Sequence, residues 1–351
     1  MKAILWGYRF SNMRETWYKR VQWMVNSLLK YGIEVKPHPN FKCRGLNLPL
    51  YDFTKDHNAD ICIYNHADIS CLTGNVLQVK KNWFFKPTVP DENHTTLDEM
   101  GYGPYSSITY KKPNFEQMPQ RKVNKFFSTK VKNWITKKTT KWGNRFKNDT
   151  QKIEETDYHL ILGQCGGDEV VTRHDFGHYF TKMKQIVREL ARIDNRLIIV
   201  KLHPYTDGEH ATNNNFSMML KQEIEAINPA VRVFTGKVNI HNFIKNARCI
   251  FLANSGAGFE AMMHHKPIIS WGYPEYHWVT YDLRHLADLL RAIRLDWFNA
   301  EKSDKFLYWY MEKHCFYNQE TSDRRIKELL ENDGLQSPGI GATRVATAGI
   351  R

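Results

Sequence analysis

Three short polar clusters carry the residue types that chemistry needs, and each follows an apolar run. Gly163-Gln164-Cys165-Gly166-Gly167-Asp168 comes after Tyr158 to Leu162, His203-Pro204 after Leu197 to Leu202, and Asn254-Ser255-Gly256-Ala257-Gly258-Phe259-Glu260 after Cys249 to Ala253. An apolar run of five or six residues closed by Gly, Ser or Pro reads as a buried strand with its turn. In an open parallel sheet, ligands collect outside the carboxyl ends of the strands. The three clusters are therefore expected to converge on one crevice. Pro204 stops its strand and restricts the backbone around His203. The Ser255–Gly258 turn opens a helix, where backbone N–H groups and partial positive charge suit a phosphate or carboxylate. Its glycines allow close approach of a ligand to the backbone. The alternative is a plain strand-to-helix turn, because the stretch matches neither the dinucleotide G-x-G-x-x-G nor the P-loop pattern.

The elements that must position these clusters alternate in type. Gly177 to Ile193 has helical periodicity through Phe180, Met183, Ile186, Val187, Leu190 and Ile193. Phe216 to Ile227 and Ile240 to Asn246 read as helices, Val231 to Phe234 and Pro267 to Trp271 as strands, and a helix opens near Phe259. Strand–helix alternation from Asp157 to Gly272 predicts a Rossmann-like domain. The N-terminal part repeats the pattern: a strand over Met1 to Gly7, an amphipathic helix over Glu15 to Tyr31 ended by Gly32, a strand starting at Ile33, and another over Asp60 to Asn65. Asn82 to Tyr110 is aromatic and broken by Pro and Gly, and is read as a loop-rich wall. Thr280 to Ile293 and Lys305 to Lys313 read as helices, and the tail from Gly334 lacks periodicity and is expected to be disordered.

The organisation expected is a first Rossmann-like domain over 1–118, a basic segment over 119–150, a second Rossmann-like domain over 151–280, C-terminal helices over 281–333 that cross back, and a tail over 334–351. Composition allows this, since 351 residues with abundant apolar and aromatic side chains can fill two cores. No window approaches the ~18 apolar residues of a spanning helix, and the N-terminal run is too short for a signal peptide. A cytoplasmic location is expected. The six cysteines (43, 62, 71, 165, 249 and 315) have no C-x-x-C or zinc spacing and read as buried thiols. The net charge of +13 asks for an anionic partner. Residues 121–147 concentrate that charge, with ten Lys or Arg, no acidic residue, and Val123, Phe127, Val131, Trp134, Ile135, Trp142 and Phe146 at helical spacing. An amphipathic helix on an anionic membrane and a basic helix packed on the protein both fit; nucleic acid is a third reading, against which stands the absence of a recognisable nucleic-acid module.

Together the clusters resemble the bacterial capsule polysaccharide biosynthesis family, whose well-understood members are β-Kdo glycosyltransferases (Kdo is 3-deoxy-D-manno-oct-2-ulosonic acid). The matching residues are Gly163-Gln164 with Asp168, Val200-Lys201-Leu202-His203-Pro204, and Asn254 to Ala261 with Lys266-Pro267. Gly272 and Tyr276 fit the G-x-x-x-Y that follows, and Thr96-Leu97-Asp98 with Gly101 and Ser106 matches more weakly upstream. The resemblance implies a GT-B architecture, with two Rossmann-like domains facing a cleft and the C-terminal one holding a CMP-activated sugar.

On that resemblance, Asn254, Ser255, Gly256, Ala257 and Gly258 hold the donor phosphate, with Pro204 and Tyr276 beside them. Glu260 accepts from ribose hydroxyls or simply favours its helix dipole. His203 bonds the phosphate or assists nucleotide departure, and Lys201 pairs with phosphate or sugar carboxylate. Asp168 is the candidate nucleophile of a two-step, net-retaining transfer, with Gln164 orienting it and Glu169 as the neighbouring alternative. Asp168 also suits a helix N-cap. No Asp-x-Asp motif is present, and neither metal nor cofactor is expected beyond the nucleotide sugar and a glycan or lipid-linked acceptor. The competing readings are another nucleotide-activated donor, including polyol-phosphate transfer from a CDP donor, and a non-catalytic basic protein that binds nucleic acid or membrane.

Overall fold

The computed structural model describes residues 1–6, 15–38, 48–50, 52, 58–65, 78–91, 93–140, 153–166, 168–172, 178–206 and 215–332. Trp142, Phe146, Gly167, Gly177 and the tail over 334–351 lie outside the described residues. The chain forms two compact units, one of Met1–Pro87, Thr95–Ser107 and the chain from His314, the other of Thr88–His94 and Ile108–Lys313.

In the first unit, the strands β1 (Lys2–Trp6), β2 (Glu34–Pro37), β3 (Asn58–Asn65) and β4 (Gln78–Pro87) are parallel in the order β2-β1-β3-β4. The helix Glu15–Lys30 buries Val21, Met24, Val25 and Leu28 at the i, i+3, i+4, i+7 spacing of one face. It ends at Gly32, whose φ of 70° is a left-handed conformation natural to glycine at a helix terminus. The stretch from Asn82 to Tyr110 is not the irregular loop its composition suggests. It holds the end of β4, the antiparallel β5 (Thr95–Asp98), and a loop that Asp98 ties together. Asp98 accepts from the N–H groups of Met100, Gly101 and Ser107 and from the hydroxyls of Ser106 and Ser107, at 2.7–3.1 Å. Pro87, Pro90, Gly101 and Gly103 close or flank these strands and break the local pattern that would reveal them.

The C-terminal segment completes this unit. The short strand β12 (Cys315–Phe316) pairs antiparallel with β5. The helix Gln319–Glu331 starts with an Asn318/Thr321 capping box, and its Arg325 donates twice to the Leu97 carbonyl, at 3.0 and 2.8 Å.

The second unit is a six-stranded, wholly parallel sheet. Its strands are β6 (Tyr158–Leu162), β7 (Ile198–Lys201), β8 (Val231–Phe234), β9 (Ala247–Leu252), β10 (Ile268–Ser270) and β11 (Tyr281–Asp282), in the order β8-β7-β6-β9-β10-β11. Counted within the unit this is 3-2-1-4-5-6, the doubly wound order, with its switch point between β6 and β9. The helix Tyr179–Ile193 places Tyr179, Met183, Ile186, Val187 and Leu190 in the core. Each such apolar burial contributes roughly 1.5–3 kcal/mol before entropy is counted. The reading of Thr280 to Ile293 as one helix is corrected: β11 and a short helical turn precede the four-residue helix Leu289–Ala292.

The basic segment is helical from Gln120 to Thr136, with a π turn over Phe127–Val131. The wider turn advances the buried face by five residues from Phe126 to Val131, so Val123, Phe126, Val131 and Trp134 all point inward. Phe126 meets the edges of Trp134 and Tyr308, and Trp134 meets His94. The apolar stripe is therefore covered by protein. No described helix is long and apolar enough to cross a membrane.

Candidate active site

At the carboxyl ends of the second sheet lies a cleft of about 120 Å³. Its walls include Gly163 after β6, Lys201, His203 and Pro204 after β7, Val238 and Ile240 after β8, and Ser255, Gly256, Ala257 and Glu260 after β9. Thus the strand-end clusters do meet, and eight of the residues singled out from sequence line one space. Leu162, Leu202, Val89 and Thr140 complete the lining. The strand-end rule that finds Gly163 and His203 would also have found Val238 and Ile240. Val89 falls in the Asn82 to Tyr110 stretch read as a wall of a cleft, whereas Thr140 carries no such signal and is brought there by the fold alone.

Lys201 ends β7, and its ammonium donates to the carbonyls of Leu202 at 2.6 Å and Gly236 at 2.9 Å. A buried ammonium held by carbonyl dipoles puts fixed positive charge at the cleft wall, which favours an anion. His203 accepts the Tyr205 N–H at Nδ1, at 3.2 Å. In the neutral ring that leaves the proton on Nε2, which makes His203 a donor beyond its own loop. Glu260, 4% exposed, is the acidic member of the lining.

The turn after β9 is held from behind. Ser255 Oγ accepts the Ala257 N–H at 3.3 Å, and the Gly258 N–H donates to the Ser255 carbonyl at 3.1 Å. The Tyr276 hydroxyl also donates to that carbonyl. Tyr276 is fully buried, and burial pushes its phenol well above the usual range, so it remains a donor. A Cβ on Gly258 would fall 2.2 Å from the Tyr276 ring. Gly258 is thus explained by the packing of Tyr276, not by ligand approach. Gly256 is the glycine that faces the cleft, where a Cβ would meet nothing nearer than Val89 at 4.0 Å.

Gln164 and Asn254 bond to each other across the switch point. The Gln164 amide donates to Asn254 Oδ1 at 2.8 Å, and the Asn254 N–H donates to Gln164 Oε1 at 3.0 Å. Asn254 also donates to the Val170 carbonyl at 3.2 Å. This reciprocal pair ties the loops after β6 and β9 at a fixed spacing. Asp168 is half-buried, accepts the Val170 N–H at 3.2 Å, and caps the short helix Glu169–Thr172. Gln164, Asp168, Asn254, Gly258 and Tyr276 are outside the lining of the cleft and stand around it.

A family model described as capsule polysaccharide biosynthesis protein matches residues 108–319, more than half of the chain and nearly all of the second unit. Among solved structures, the chain is similar to the KpsC beta Kdo 2,4 transferase of Thermosulfurimonas dismutans, at 14% identity, covering 92% of this chain and 94% of that one, with a TM-score of 0.53. The KpsC beta Kdo 2,7 transferase of the same organism follows at 12% identity, 94% and 99% coverage and a TM-score of 0.47. No curated protein matches the sequence. The first likeness establishes the fold, a GT-B type α/β protein with two Rossmann-like units.

Proposed function

The chain belongs to the capsule polysaccharide biosynthesis protein family, and from that premise we propose that it is a glycosyltransferase that moves Kdo from CMP-Kdo to a glycan or glycolipid acceptor with net retention. The observation that carries this reading is the cleft at the carboxyl ends of the second sheet, which Lys201, His203 and the Ser255–Ala257 turn line together with Glu260. Cationic and N–H donors beside one buried carboxylate suit a phosphodiester with ribose hydroxyls next to it.

In the proposed first step, the Asp168 carboxylate attacks the anomeric carbon and the bond to the CMP phosphate oxygen breaks. CMP leaves with the electron pair, its growing charge met by Lys201 and by a hydrogen bond from His203. In the second step an acceptor hydroxyl attacks the same carbon, its proton passes to a general base, and the Asp168 carboxylate is released. Two inversions give retention. Gln164 and Asn254 set the spacing of the loops that carry Asp168 and the phosphate turn. The reaction works at a membrane-borne acceptor, a location supported by the exposed Arg121, Lys122, Lys125, Lys132 and Lys137 on the basic helix.

Intact-protein mass after incubation with CMP-Kdo tests this. The expected result is a gain of one Kdo that is absent in Asp168→Asn, while CMP still raises the melting temperature of that variant. CMP release with no adduct moves the nucleophile away from Asp168. Absence of both adduct and CMP stabilisation overturns the Kdo donor.

A further inference from the structure

Thr140 lines the cleft although it belongs to the end of the basic helix, about twenty residues before β6. The chain reaches it by leaving the helix through Lys138, whose φ of 49° is a left-handed conformation that costs a non-glycine residue about 1 kcal/mol or more. The surroundings hold it there. Asn239, fully buried, donates its amide to the Lys138 carbonyl at 3.1 Å and accepts the His241 N–H at 3.0 Å. His241, 3% exposed, has its Nε2 3.0 Å from the Thr139 carbonyl and its Nδ1 2.8 Å from His264 Nε2. A carbonyl can only accept, so His241 carries its proton on Nε2 and accepts at Nδ1 from the His264 Nε2–H. Phe127, the residue after Phe126, stacks on the neighbouring His265 at 4.9 Å and fastens the same helix.

We propose that Asn239 and His241, with His264 behind them, form a latch that holds Lys138–Thr140 as a wall of the donor cleft, so that both are positioning residues for the nucleotide sugar. The inference rests on the cleft being the donor site. Val238 and Ile240 line the cleft while Asn239 between them bonds to Lys138, so one stretch both lines the space and secures the segment that carries Thr140. The basic segment then has a role its composition conceals: its apolar face anchors it, and its last residues close the site.

In this arrangement the His241 ring is neutral, with its one proton on Nε2, and His264 carries a proton on Nε2. The groups around the pair are suited to that. Lys138 faces His241, and His265, Lys266 and Lys245 face His264, with Asp304 engaged by His265 at 2.9 Å. Burial first, then His241 and the neighbouring Lys266, His265 and Lys245, hold His264 down at about 3; burial first also depresses His241, against the opposing pull of the Thr139 carbonyl.

The test uses the full chain, CMP as ligand, and hydrogen–deuterium exchange. The Lys138 and Thr139 N–H groups bond to the Ile135 and Trp134 carbonyls, at 3.0 and 2.9 Å, and their exchange reports on the latch without any ligand. His241→Phe keeps the bulk and removes the bond to Thr139; it is expected to speed exchange at these two amides and to weaken CMP binding roughly tenfold, with KM for the donor moving more than kcat. His241→Gln, which can still donate to the carbonyl, is expected to restore both. Asn239→Asp keeps the acceptor for His241 and removes the donor to Lys138, and gives the same readout should Phe at 241 prevent folding. Unchanged exchange and unchanged CMP affinity in His241→Phe overturn the proposal, as does a loss that His241→Gln fails to restore. If CMP does not bind the wild-type protein, the donor reading fails, and the exchange arm alone decides the latch.

Discussion

Asp98 in the first unit and Glu260 in the second are both sealed from bulk solvent, at 0% and 4% exposure. Their surroundings differ. Asp98 sits at the end of a strand and accepts from the backbone and hydroxyls of the residues that follow it, so its charge is answered by its own loop. Glu260 sits in the first turn of a helix and faces a cleft shared with an ammonium, an imidazole and a glycine turn. A carboxylate surrounded by its own loop's donors shapes that loop. One that lines a cleft is placed to meet a ligand. The same residue class thus serves as scaffold in one unit and as candidate recognition group in the other, and burial by itself does not tell them apart.

Three substitutions probe that contrast. Asp98→Ala is expected to have the largest effect, about 3–5 kcal/mol of lost stability in urea melts, because five donors would face a site with no acceptor. A loss under about 1 kcal/mol would mean that the loop finds other acceptors and that Asp98 is no keystone. Gly258→Ala comes next. The added Cβ collides with the Tyr276 ring behind the phosphate turn, and overpacking of this kind costs roughly 1–3 kcal/mol. Pairing it with Tyr276→Leu should return part of that loss; a double variant no better than the single would show that the clash is not with Tyr276. Glu260→Gln is the mildest. Its melting temperature should stay near that of the wild type while CMP affinity falls roughly tenfold, the loss of a charged acceptor for hydroxyls. A large drop in stability with unaltered CMP affinity would move Glu260 to the scaffold side.

Much of this was legible because it depends on local pattern. Tyr158 to Leu162 and Val231 to Phe234 form strands over the residues their apolar character predicts, and the helix Glu15–Lys30 follows its periodicity nearly to the residue. The convergence of Lys201, His203, Ser255 and Glu260 was also legible, since a parallel sheet gathers its strand ends at one edge. The strands inside Asn82 to Tyr110 were hidden because Pro87, Pro90, Gly101 and Gly103 break the local pattern around them.

The amino-acid sequence by itself therefore determined the alternation of strands and helices, the doubly wound second unit, and which polar residues stand at strand ends. Periodicity and turn chemistry act over a few residues, so a single chain displays them. Only the tertiary structure decided which of those polar groups face the cleft and which bond to one another. Gln164 and Asn254 stand at two strand ends in the sequence, and only the fold shows that they bond to each other across the switch point. The apolar stripe of the basic helix fits a membrane or a protein partner equally from sequence; only the fold shows Phe126 and Trp134 against Tyr308 and His94. An amphipathic stripe specifies that something apolar will cover it, and a polar side chain that something will hydrogen-bond it. The partner is chosen by contacts between residues far apart in sequence, which local pattern does not encode.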